Sequence, residues 1–328
     1  MRRMIWLTLI ALMPACRPQP NFEISEIATI DTAGWAHDVI LEDDELYLSD
    51  RQGGYLIFQR SPSWPLQSAF TPVGDVISLA PNGGEPVLAA RFDGLVWVSA
   101  DGHVKARYSN GDIANSVAVR GDIAYAAYGL HGLVIARLAG TQIEIVSQLA
   151  SPGWSHDVKL SRDQALLSDW NYGLRVVDVR DPGRPTEVAA LPSPATTISV
   201  AIREAEGKRM AAIADGHGGV ALARLDDSGR PRLLGRNSLG LNTSDPPHPA
   251  SGGWAHSVAW GDRYIFIANW KRGLAILDAQ DPVRLRLVRE IPTDGTALGV
   301  KTERETDGTW LVFLADGEAG LKVYRFIP

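Results

Sequence analysis

The feature that most constrains this chain is a six-residue phrase written three times. Gly34-Trp35-Ala36-His37-Asp38-Val39 returns as Gly153-Trp154-Ser155-His156-Asp157-Val158 and again as Gly253-Trp254-Ala255-His256-Ser257-Val258. About a dozen residues later each copy is followed by a second phrase: Leu48-Ser49-Asp50-Arg51-Gln52-Gly53-Gly54, Leu167-Ser168-Asp169-Trp170-Asn171-Tyr172-Gly173 and Ile267-Ala268-Asn269-Trp270-Lys271-Arg272-Gly273. An apolar run then follows. Weaker copies of the second phrase occupy residues 90–94, 127–132, 214–219 and 315–320. The equivalent glycines are Gly54, Gly94, Gly132, Gly173, Gly219, Gly273 and Gly320, spaced by 40, 38, 41, 46, 54 and 47 residues. Self-similarity at this period belongs to solenoids, propellers and arrays, in which each unit buries its apolar face against the next.

Within each unit, short β-branched and apolar runs alternate with Gly, Asp and Asn breaks; in unit four the runs are residues 156–160, 165–168, 174–179 and 186–190. Four short strands at this period read as a propeller blade. The chain ends favour a ring over an open solenoid. The last unit stops after its third strand, residues 321–326, while residues 22–30 precede the first unit without a partner of their own. Placed as the missing outer strand, they leave no end to cap and no free edge. The reading is therefore all-β: a seven-bladed β-propeller over residues 22–328, its last blade closed by an N-terminal strand. This single domain stands against the length prior of ~150 residues per domain, which predicts about two.

The run Tyr172-Gly173-Leu174-Arg175-Val176-Val177-Asp178-Val179-Arg180-Asp181-Pro182-Gly183-Arg184-Pro185 resembles the LVIVD repeat of bacterial and archaeal surface proteins. Gly273-Leu274-Ala275-Ile276-Leu277-Asp278-Ala279-Gln280-Asp281-Pro282 is similar. The resemblance covers nearly all of the chain after residue 21, although units two, three and five lack the Asp-Pro turn. It implies a β-propeller in an envelope or extracellular setting, and no particular activity.

The N-terminus gives an address. Arg2 and Arg3 precede an apolar stretch, residues 4–13, too short to span a bilayer. Leu12-Met13-Pro14-Ala15-Cys16 resembles the bacterial lipoprotein cleavage box, with Met13 and Pro14 departing from its commoner residues. The resemblance implies a signal peptide over residues 1–15, a lipid on Cys16 that holds the protein on a membrane of the cell envelope, and a tether over 16–21. The residue after the cysteine is Arg17 and not Asp, which resembles outer-membrane sorting in enterobacterial lipoproteins; plain secretion is the alternative. Cys16 is the only cysteine, which excludes an internal disulfide and a multi-cysteine metal site. A net charge of −6 with no basic block excludes nucleic acid as a partner. The expected partner is another envelope protein or an extracellular ligand.

Topology nominates the site. In a meander blade, strand one starts on the face where strand two ends. His37, His156 and His256, with Asp38 and Asp157, open first strands. Asp50, Asp169, Asn269, Trp170 and Trp270 end second strands, so both sets should gather on one face around the axis. The histidines fall in blades one, four and six, as evenly as three residues can be spread over seven. Asn115, Ile198 and Leu298 are their equivalents elsewhere, with unit two open around Asp75. Each imidazole either fixes a neighbouring loop or takes part in binding a ligand. No cofactor is expected; a metal held by three imidazoles is the alternative. Asp215 and Asp316 recur in register with Asp50 and read as turn supports. Trp35, Trp154 and Trp254 read as wedges between blades, His103, His131, His217 and His248 as exposed turn residues, and residues 226–252 as a long proline-rich loop over the histidine-bearing face. Gly-x-Ser-x-Gly, His-Glu-x-x-His and P-loop patterns are absent. The expected function is an envelope lipoprotein whose propeller is a binding platform without catalysis; the alternative is a metal-dependent enzyme with a three-histidine site at the channel mouth.

Overall fold

The computed structural model describes residues 22–61, 63–241 and 252–328. They form seven four-stranded antiparallel sheets. Six are consecutive meanders, over residues 38–70, 78–108, 114–149, 155–191, 199–237 and 257–291. The seventh combines Gly299–Arg304, Trp310–Ala315 and Leu321–Ile327 with the N-terminal strand Glu23–Ile30. That strand lies antiparallel to the last, with Ile30 opposite Leu321 and Glu23 opposite Ile327. The first strands of successive blades touch one another all the way round, including blade seven against blade one. The ring is closed as the chain ends predicted.

The second strands are buried on both faces, which is why they read as continuous apolar runs rather than alternating ones. In Tyr264–Ala268 all five residues are buried. Ile265 and Ile267 pack with Ala212 and Ala214 of blade five. Tyr264, Phe266 and Ala268 pack with Val312 and Leu314 of blade seven. Successive side chains point to opposite faces of a strand, so one strand feeds two cores. Each fully buried Leu, Ile or Phe contributes roughly 1.5–3 kcal/mol, and the same interface repeats around the ring.

Turn chemistry follows the repeat. Gly54 has φ +81°, and a Cβ there would stand 2.0 Å from the Phe70 carbonyl oxygen; only glycine allows that approach. In blade four, Asp178 accepts the Arg180 amide at 3.0 Å and Asp181 accepts that of Gly183 at 2.9 Å. Blade six repeats both bonds at Asp278 and Asp281.

The blades are also clamped on the histidine-bearing face. Just after strand two, a left-handed residue forms an isolated bridge to the next blade: Arg51 to Val76, Arg91 to Ala114, Gly129 to Ser155, Gly216 to Ala255, Trp270 to Ala297 and Gly317 to Ala36. Between blades four and five, the Thr197 amide donates to the Trp170 carbonyl at 2.8 Å. The side chains at these clamps are matched in size. Gly129, Gly216 and Gly317 stand where the next blade brings Trp154, Trp254 and Trp35. Arg51, Arg91, Trp170 and Trp270 stand where it brings Asp75, Ile113, Thr196 and Thr296. A Cβ on Gly216 would lie 3.0 Å from the Trp254 ring, and one on Gly317 2.7 Å from that of Trp35. Trp35 and Trp254 are therefore wedges between blades, as their repetition suggested.

One expectation needs correction. Residues 226–252 are not a single loop, because Pro231–Asn237 is the outer strand of blade five. Asp245-Pro246-Pro247-His248-Pro249 lies outside the described residues. Among the described residues no helix is long and apolar enough to cross a membrane.

Candidate functional site

The axis of the ring is a polar well. Its outermost tier takes one residue from each blade: His37, Ile77, Asn115, His156, Ile198, His256 and Leu298. The equivalence is written in the backbone. The amides of His37, Ile77, Ile198, His256 and Leu298 each donate to a carbonyl at the end of their own second strand, at 2.8–3.0 Å. The blade-two member is thus Ile77. Asp75 instead joins Arg51 at 2.8 Å and Arg91 at 3.5 Å.

The three imidazoles do converge. The ring centres of His37 and His256 are 5.5 Å apart and those of His156 and His256 5.8 Å apart, both edge to face. They also hold the blades together. His37 Nδ1 lies 2.8 Å from the Ile77 carbonyl oxygen and His256 Nδ1 2.7 Å from that of Leu298; the Ile198 backbone hydrogen-bonds His156. Each imidazole therefore reaches the same tier of the next blade. A carbonyl only accepts, so Nδ1 of His37 carries the proton and Nε2 is its acceptor nitrogen. Burial, with His256 and His156 alongside, pushes His37 well below the usual imidazole range. Burial also pushes His156 down, against the opposing charge of Asp157. Both rings are neutral at pH 7.

One residue further along the first strands of blades one to six lies a tier of carboxylates and hydroxyls: Asp38, Ser78, Ser116, Asp157, Ser199 and Ser257. Two residues beyond these, blades four and seven supply Lys159 and Lys301. Asp157 accepts the Ser116 hydroxyl and the Lys159 ammonium, each at 2.8 Å, and the Val200 amide at 3.2 Å. Burial alone would raise its carboxyl; Lys159 and Ser116 overcome that and hold it at about 2. Burial likewise opposes the charge on Lys159, and Asp157 overcomes it and raises the ammonium. Lys301 is pushed down by burial and by Lys159, against the attraction of Asp38 and Asp157.

The other nominated residues are placed differently. Asp50, Asp169 and Asn269 are fully buried and serve their own turns. Asp50 accepts the Thr32 hydroxyl and the Gly34 amide at 2.6 and 2.7 Å. Asp169 meets Ser151 and Arg175, and Asn269 accepts the Trp254 amide at 2.9 Å. Asp215 and Asp316 do the same, with Thr197 and Thr293. Trp170 and Trp270 stand beside the well, their ring centres 6.4 and 6.2 Å from those of His156 and His256. His103 is exposed; His131 lies at a turn with its side chain 39% exposed and Nδ1 2.9 Å from Asp112, whereas His217 is half-buried and packs 5.2 Å from Trp254. Among the described residues no group of three or more His, Cys, Asp or Glu has the geometry to hold a metal ion. The serines and the two lysines escaped sequence reading. Their signal is positional: Lys159 and Lys301 stand three residues after His156 and Leu298, an offset visible once the repeats are aligned.

The family model of the LVIVD repeat matches residues 111–136, 152–191 and 252–293. The chain carries LVIVD repeats. The matches fall in blades three, four and six, so two of the three imidazoles of the well lie within LVIVD repeats. A search of curated proteins finds no match. Solved structures share the fold only. The computationally designed protein Ika8 is 8% identical with a TM-score of 0.63, covering 91% of this chain and 99% of its own. The β-propeller domain of Cps50 (Swd1) from Myceliophteria thermophila is 11% identical at 0.67, covering 93% and 100%. The WD40 β-propeller domain of Doa1 is 10% identical at 0.65, covering 92% and 96%.

Proposed function

We propose that this LVIVD-repeat propeller is an exported, lipid-anchored binding platform that meets its partner with the histidine-bearing face. The observation that carries this reading is the convergence of His37, His156 and His256, one from each of three separate blades, at the mouth of a polar axial well. Inter-blade hydrogen bonds alone would not need histidine, since Asn115 makes such a bond to the Ser155 carbonyl at 2.8 Å. The Trp170 and Trp270 rings beside the imidazoles enlarge the contact surface, and such amphipathic rings suit interfaces.

The path of the chain supports the orientation. Residues 31–37 lead from the end of the N-terminal strand straight into the well, so Ile30 lies at the histidine-bearing face. Glu23 lies seven residues back, ~23 Å along an extended strand, at the opposite face. A lipid on Cys16 would therefore hold the membrane on that opposite side and leave the well facing outward.

The test uses His156→Ala combined with His256→Ala, with Arg180→Ala and Arg184→Ala on the opposite face as controls. Capture of an envelope partner should be lost for the histidine variant and kept for the arginine variants, with the former still folded but less stable by about 1 kcal/mol for each inter-blade hydrogen bond removed. Loss of stability with capture retained would reduce the imidazoles to inter-blade pins.

A further inference from the structure

The two charge types in the well are not equally satisfied. Every carboxylate oxygen has a donor. Asp157 has three donors as described, and Asp38 takes the Val39 amide on one oxygen at 2.9 Å and the Ser78 hydroxyl on the other at 3.1 Å. One lysine is satisfied as well, since Lys159 is 2.8 Å from Asp157. Lys301 is not: among the described residues no hydrogen bond or ion pair reaches its ammonium. A buried ammonium that makes no hydrogen bond is costly unless something pairs with it. Lys159 repels it, while Asp38 and Asp157 attract it without touching it.

From this imbalance we infer that the well binds a carboxylate, with Lys301 as its ion-pair partner. Size narrows the choice. The space that water centres can occupy is about 40 Å³, room for about three waters. A formate- or acetate-sized group fills it; the rest of a larger ligand must stay above the imidazole tier, against Trp170 and Trp270. The carboxylate can come from two sources: a free small acid, or the C-terminus or acidic side chain of a partner protein. The inference rests on the binding-platform reading for its outward-facing mouth, but Lys301 is separate from the residues that test that reading.

The experiment titrates the mature protein by calorimetry with sodium acetate and with a short peptide, offered with a free and with an amidated C-terminus, at constant ionic strength. Saturable acetate binding is expected, weakened at least tenfold by Lys301→Met and largely retained by Lys301→Arg. Acetate should raise the thermal midpoint of the wild type and not that of Lys301→Met, which itself should unfold no lower than wild type because it loses a buried ammonium that makes no hydrogen bond. Tighter binding of the free-acid peptide than of acetate, abolished by amidation, would assign the carboxylate to a protein terminus; equal or weaker binding would assign it to a small acid. An acetate affinity unchanged in Lys301→Met, or no saturable binding of either probe to wild type, would overturn the inference. Should partner capture still depend on His156 and His256 in that case, the platform reading stands and only the carboxylate falls.

Discussion

Asp157 shows how a single residue joins the fold to the well. It is 6% exposed and takes donors from blades three, four and five: the Ser116 hydroxyl, the Lys159 ammonium and the Val200 amide. Its carboxyl is held at about 2 in the folded protein, against an ordinary value of 3.8. A depressed carboxyl stabilises the fold above the unfolded value and loses that contribution as pH falls through the folded one. We therefore predict that Asp157 contributes about 2 kcal/mol at neutral pH and that this is lost between pH 4 and pH 2. Chemical denaturation across that range should give a flatter profile for Asp157→Asn than for wild type, on a lower plateau at pH 7 because Lys159 loses its partner. Parallel profiles would mean that the carboxylate carries no such linkage. Asp157 stands in the three-times-written phrase, and its place beside the axis was legible from that phrase. Its partners were not, because Ser116 and Val200 come from other blades and have no signature of their own.

At the scale of the element, the glycines and Asp-Pro turns were legible because backbone conformation demands them: Gly54 and its equivalents all have positive φ. Blade two hid its member of the axial tier because Ile77 follows neither Trp nor His. Blade five hid its outer strand because Pro231–Asn237, following Asp226, Ser228 and Gly229, reads as a turn-rich stretch. The left-handed clamps escaped altogether, since Arg51 and Trp270 are not residues that announce positive φ. The closing strand, by contrast, was forced by arithmetic, and it yields a prediction. Deleting residues 22–30 removes the partner of Leu321–Ile327 and the Phe22 ring that packs 5.5 Å from Tyr264 and 5.1 Å from Phe326. Thermal and denaturant unfolding should show a loss of several kcal/mol, a large share of a typical ~5–15 kcal/mol. Unchanged unfolding would contradict closure by this strand.

For the whole molecule, the ring makes one face different from the other. Strand-one entries, inter-blade clamps, imidazoles and tryptophans share a face; the Asp-Pro turns and the start of the N-terminal strand share the opposite one. If Cys16 carries the anchor, Cys16→Ser should move the protein from the membrane to the soluble fraction, and continued sedimentation with membranes would refute lipid anchoring. The most direct test of the account asks which face meets a partner in the cell. A photo-crosslinking amino acid would replace Tyr172 or Lys271, exposed on the histidine-bearing face, or Val283, exposed on the opposite one. The account predicts discrete protein crosslinks from positions 172 and 271, abolished by His156→Ala with His256→Ala, and none from position 283. Discrete crosslinks from position 283 alone would contradict it.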